Sequence, residues 1–198
     1  MSYKDLYNYV AGLNEYPVVL ENRVVPKIKE LSGQDEIYFV PVDQLDISIS
    51  LGHIKQYRQA TGVYSDSQWV TEIRYATDPA VTFCWRRFVC CKELMHIFDS
   101  PDERATDQAK LELLLSELET PPPWDKASDM YKSETRTQWM ALGVLCPLPL
   151  REQFRAKLEA EELNKYQVAL ALRIPEATVD SLMSPYFEGF ITSLLNGE

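Results

Sequence analysis

Between Phe88 and Phe98 the chain reads Phe-Val-Cys-Cys-Lys-Glu-Leu-Met-His-Ile-Phe, and no other stretch limits its fold as tightly. As a helix this segment is apolar on nearly every side, and a helix apolar all round must be enclosed by protein. The exceptions are Lys92, Glu93 and His96. Lys92 and His96 stand four apart and stack on one face, while Glu93 lies one turn before His96 on its flank. Three ionisable groups therefore leave a buried helix together, which is costly unless each meets a partner or a cavity. The fold has to bury Phe88, Cys91, Leu94, Met95 and Phe98 and still bring polar company to the Lys92 face.

The rest of the chain can supply such an enclosure. Hydrophobic residues make up 45% of the 198 and charged residues 25%, enough apolar surface for a core without disulfide or metal staples. No long polar linker divides the chain, which predicts one domain over residues 1–198. Its expected parts are an N-terminal helical segment (1–35), a small sheet (36–80) and a helical part carrying the motif (81–198). The formal net charge of -10 repels phosphate backbones and anionic headgroups, so a nucleic-acid partner is disfavoured. The start, Met-Ser-Tyr-Lys-Asp, has no basic end or apolar core of a signal peptide, and no apolar run nears the ~20 residues that span a bilayer. A cytoplasmic protein without a membrane partner is expected. Cys84, Cys90, Cys91 and Cys146 lie within apolar segments, which suits reduced, packed thiols.

Periodicity gives the fold class as α+β. Val18 to Leu31 has a helical apolar period closed by Ser32-Gly33. Ile37 to Pro41, Leu45 to Leu51 and Gln68 to Ala76 are rich in β-branched and aromatic residues, with polar turns such as Ser65-Asp66-Ser67. They predict three or four short antiparallel strands. After Asp78-Pro79 the pattern is helical: Val81 to Phe98, then a helix capped by Ser100-Pro101-Asp102-Glu103 and running to Glu119. Pro121-Pro122-Pro123 interrupts it as a stiff connector. Helical patterns resume over Lys126 to Leu145, Arg151 to Leu163, Lys165 to Leu172 and Glu176 to Met183, before a last apolar stretch through Leu195.

Lys92-Glu93-Leu94-Met95-His96 has the spacing of H-E-x-x-H with the first histidine replaced by lysine. In the intact motif two histidines grip zinc from one helix face and the glutamate takes a proton from metal-bound water. The wider stretch, Arg87-Phe88-Val89-Cys90-Cys91-Lys92-Glu93-Leu94-Met95-His96, resembles the Arg-Phe-Thr-Leu-Ala-His-Glu-Leu-Gly-His run of ImmA/IrrE proteins. Glu134 stands thirteen residues before Pro147, at the spacing those proteins use for a further acidic metal ligand. Tyr166 to Val179 resembles their segment after that proline. The tail is also similar to a DNA-reading helix-turn-helix, but its turn has no glycine and it has no basic stripe, which favours a packing role.

The resemblance implies a zincin-like arrangement in the helical part, with His96 and Glu134 as remnant metal ligands and Glu93 as general base only if the protein is active. Lys92 departs from it. A protonated lysine offers no lone pair, and its charge repels a dication. With Glu134 facing the motif helix, the ammonium can pair with Glu93, Glu134 or both, a salt bridge in place of the metal. The leading expectation is thus a non-catalytic relative with no cofactor, acting by binding a protein partner of the transcriptional-repressor type in a bacterial stress-response or mobile-element circuit. One alternative is an active zinc peptidase with an unusual ligand set from His96, Glu134 and Cys91 or His53. Another is a structural or assembly protein of unrelated α+β fold, in which Glu93, His96 and Glu134 do not converge.

Overall fold

A computed structural model describes residues 2–60, 62 and 67–197. The expected turn residues Ser65 and Asp66 lie outside them. The fold is α+β, a three-stranded sheet with a mainly helical remainder. Helix α1 (Tyr3–Leu13) starts where the Ser2 side chain accepts from the Asp5 N–H. A π-helical turn (Leu20–Val24) leads into α2 (Val25–Ser32), which ends at Gly33 in the left-handed region with φ 66°. Glycine takes that conformation without the Cβ penalty, so Ser32-Gly33 is where the helix stops.

Strands β1 (Glu36–Val42), β2 (Gly52–Ala60) and β3 (Ser67–Ala76) form a sheet in the order β1-β3-β2. The sheet is mixed, which corrects the all-antiparallel expectation: β2 runs antiparallel to β3, but β1 runs parallel to it, with Phe39 opposite Ile73. The physical reason is the position of the middle strand. Because β3 inserts between its predecessors, the chain leaves β1, makes β2 at the far edge and returns alongside β1 in the same direction. The expected strand at Leu45–Leu51 is also corrected. That segment is a turn in which Asp46 accepts from the Ser48 N–H and hydroxyl, and Ile49 is 64% exposed.

The sheet lies against α3 (Phe83–Met95), whose N-cap is Thr82 and which tightens into a 3-10 turn over His96–Phe98. A short turn at Pro101–Glu103, held by the Glu103 carboxylate on the Ser100 N–H at 2.7 Å, is separate from α4 (Gln108–Glu119), which has its own cap in Asp107. The capping motif is present, but it closes one turn and not the whole helix. After the proline run come α5 (Asp129–Leu145), α6 (Leu148–Glu159), α7 (Lys165–Leu172), α8 (Val179–Met183) and α9 (Pro185–Asn196).

One connected core runs from Tyr3 and Leu6 through Leu94, Met95 and Leu145 to Phe187 and Ile191. The tail joins it through Val168, Leu172, Ile174, Val179 and Leu182. Arg151, 1% exposed, fastens that tail by donating from Nε to the Leu182 carbonyl (2.7 Å) and from Nη2 to the Ser184 carbonyl (2.9 Å). Among the described residues the four cysteines are free thiols; Cys90, Cys91 and Cys146 are buried, and burial pushes each up to about 12.

Helices α3 and α5 pack face to face, and α1 crosses α5 at Gly143, where a Cβ would collide with the Tyr3 hydroxyl and lie 2.9 Å from Ile191 Cδ1. Gly143→Ala improves helix propensity by about 1 kcal/mol, yet it is expected to lower stability, because overpacking a dense core costs about 1–3 kcal/mol. A urea melt with a midpoint below that of the parent checks this.

Candidate functional site

Lys92 leaves α3 on the side that faces α5. Its ammonium forms an ion pair with Glu134 of α5 and lies 3.1 Å from Glu93 Oε1. The other oxygen of Glu134, Oε1, is 3.2 Å from His96 Nε2. Lys92, Glu93, His96 and Glu134 are thus one cluster. The two helices bring it together because the apolar faces around it interlock: Cys91, Leu94 and Met95 of α3 and Met140, Ala141 and Val144 of α5 are all buried. Phe88 is buried as well, whereas Phe98 is only half-buried.

The cluster continues beyond the expected residues. His96 Nδ1 is 2.7 Å from Asp99 Oδ2, so a carboxylate faces each nitrogen of the ring. Arg136, one turn before Met140 on α5, spans Asp99 (3.1 Å) and Glu103 (2.6 Å). Arg104 donates to the Asp99 carbonyl at 3.1 Å and to Gln56 Oε1 on β2 at 2.9 Å, which ties the cluster to the sheet. Asp99 follows His96 by one 3-10 turn, and that spacing was its only mark in the sequence. Glu103 was marked only as a helix cap, and Arg136 and Arg104 had no mark, since both are placed by tertiary packing. His53 lies on exposed β2, opposite Arg74 in the ladder and within electrostatic reach of Glu93.

Electrostatics follow from this geometry. Burial pulls the Lys92 ammonium down, but Glu93 and Glu134 outweigh it and hold the group above its ordinary value. Burial likewise opposes the His96 imidazolium, and the hydrogen bonds to Asp99 and Glu134 raise it to about 9 regardless. Burial pushes the Glu134 carboxyl up, while His96 and Lys92 bring it down to about 2. At neutral pH Lys92 and His96 stand as cations against the Glu134 carboxylate, and His96 carries a proton on both nitrogens.

The Lys92 position does not fit zinc: its ammonium offers no lone pair and sets a positive charge against Glu93 and Glu134, where a dication would have to sit. Among the described residues no group of three histidine, cysteine or carboxylate side chains is arranged to hold a metal ion. Cys91, a ligand of the alternative set, points elsewhere: its thiol is directed at the Ala141 carbonyl (3.8 Å).

The two histidines are expected to titrate on opposite sides of the ordinary value. Partial shielding and Arg74 lower His53, and the Asp99–Glu134 clamp raises His96 to about 9. Two-dimensional NMR of the imidazole nitrogens should show one midpoint below 6.5 and one near 9. The linked stability has a definite sign. The His96 contribution is complete below about 6.5 and is lost as pH rises through about 9; that of Glu134 is complete above about 4.5 and is lost as pH falls towards 2. The melting temperature should therefore be highest between these limits, and His96→Gln should flatten the alkaline limb.

No protein-family model, curated protein or solved structure matches this chain. No described helix is long and apolar enough to cross a membrane.

Proposed function

We propose that this chain is a non-catalytic protein with an ImmA/IrrE-like architecture, in which the Lys92 ammonium takes over the charge-balancing role of a zinc ion, and that it acts by binding a protein partner. The observation that carries the reading is the position of Lys92: its ammonium pairs with Glu93 and Glu134, and Glu134 also meets His96. These are the residues that the resemblance assigns to general base and metal ligands. The acids are retained because the ammonium needs them, and each ion would be costly alone.

Support for a binding role comes from α4. Leu111, Leu115 and Leu118 are all exposed, and their spacing places them along one side of the helix. Exposed apolar surface of this kind is commonly an interaction site. By the resemblance, the partner is a transcriptional repressor in a bacterial or mobile-element circuit. Metal analysis of protein purified without chelator tests the non-catalytic reading. The expected result is no zinc; about one equivalent, lost on His96→Ala, would overturn it in favour of an active peptidase with Glu93 as base.

A further inference from the structure

A second site lies on the opposite side of α3. Phe83 and Lys92 are nine residues apart, which at 3.6 residues per turn sets them about half a turn from each other. On the Phe83 side is a cavity of about 260 Å³. Its apolar walls include Phe39 of β1, Tyr75 of β3 and Phe83 itself, and Arg86 and Arg87 of α3 and Arg173 after α7 also line it. Glu21 is the only acid among the lining residues. In a chain of net charge -10, three arginines against one glutamate is a local reversal of sign.

None of these arginines has a carboxylate partner among the described residues. Arg86 donates through Nη2 to the carbonyls of Thr77 and Asp78, both at 3.2 Å, and its buried Nε has no partner. Arg87 donates to the carbonyls of Val18 (2.8 Å), Leu172 (3.0 Å) and Arg173 (3.2 Å). Carbonyls fix a guanidinium in place but leave its charge uncompensated. Burial and the like charge of Arg173 together draw Arg87 below its ordinary value. Arg173 occupies the left-handed position that ends α7, with φ 53°. Glycine is the usual residue there, and the arginine that takes its place stands at the cavity wall.

We propose that this cavity binds a small carboxylate with an apolar, aromatic-sized body, its carboxylate between Arg87 and Arg173 and its body against Phe39, Tyr75 and Phe83. The N–H groups that Arg87 does not spend on carbonyls and the exposed Arg173 guanidinium suit a carboxylate, and a site of this size accommodates one ring with a short chain. The chemistry is shared by free aromatic acids and by the last residue of a peptide.

Calorimetric titration with 3-phenylpropionate, with its neutral amide and with inorganic phosphate tests the proposal on the intact chain. The acid should bind saturably, with the amide and phosphate each weaker by about tenfold or more, as expected for loss of a charge-assisted hydrogen bond or of the apolar body. Arg173→Gln, whose side chain is exposed and holds no hydrogen bond to the core, should weaken the acid by a similar factor at an unchanged melting temperature. Glu21→Gln should tighten it, a gain that a damaged fold does not produce. N-acetyl-Ala-Phe with a free and with an amidated C-terminus separates the sources: tighter binding of the free peptide than of phenylpropionate assigns the site to a chain end, and the reverse order to a small acid. Equal binding of acid and amide, equal binding of phosphate, indifference to Arg173→Gln, or no saturation by any acid at about 10 mM would overturn it.

Discussion

Lys92→Ala is expected to lower stability by about 3 kcal/mol, the lower end of the range for breaking a buried ion pair from one side. The ammonium side chain is 15% exposed, Glu93 5% and Glu134 21%, so neither acid regains full hydration when the cation is removed. For a chain of this length that corresponds to a fall of roughly 6–12 °C in melting temperature. The deficit belongs to the stranded acids and not to the lysine alone. Lys92→Met combined with Glu93→Gln and Glu134→Gln should therefore recover most of it, since replacing a whole buried cluster is often close to neutral. A triple variant no more stable than Lys92→Ala would show that the cluster is held by geometry other than its charges.

Met95→Asp should abolish the folded state. Met95 is fully buried, next to Leu94 and one turn from Cys91, in the layer where α3 meets α5. Burying a carboxylate there costs several kcal/mol whether it stays charged or takes up a proton. Against a total stability of about 5–15 kcal/mol the native fraction becomes small. Thermal denaturation followed by circular dichroism should show no cooperative transition, whereas Met95→Leu, which preserves volume, should cost less than about 1.5 kcal/mol. A cooperative melt of Met95→Asp near the parent temperature would mean that the α3 and α5 layer is not the core.

Much of the helical part was legible because its signals are local. Lys165–Leu172 matches the expected helix end for end, and Gly33 closes α2 where the sequence placed the stop. The α3 segment was legible for another reason: a run that is apolar on all sides has only one place to go, and its three ionisable exceptions then share a face. Glu134 was found through its spacing to Pro147, and the structure puts its carboxylate 3.2 Å from His96.

The sheet was less legible. Leu45 to Leu51 alternates apolar residues as a strand does, yet Asp46 and Ser48 turn the chain there, whereas β2 (His-Ile-Lys-Gln-Tyr-Arg-Gln) is polar on both faces at an exposed edge and carries no strand signal. Strand order is not encoded in any one segment, so the parallel pairing of β1 with β3 could not be read. The same holds for Arg104 and Arg136, whose value to the site comes from distance relations across the fold. The arginine cavity was invisible for this reason too: Arg86, Arg87 and Arg173 come from two helical segments 85 or more residues apart and meet only in the folded chain.

The claim that Lys92 stands in for a metal is tested most directly by zinc titration of Lys92→His beside the parent, with melting temperature as the readout. The substitution supplies a second imidazole four residues from His96, removes the ammonium, and leaves Glu134 to complete three protein ligands with a position open to water. Binding to the native state adds RT ln(1 + [L]/Kd), about 2.7 kcal/mol at a hundredfold excess over Kd. Lys92→His should therefore melt several degrees higher with zinc than with chelator, and the parent should melt at the same temperature in both. A zinc-dependent rise in the parent, or none in a folded Lys92→His protein, would contradict the account.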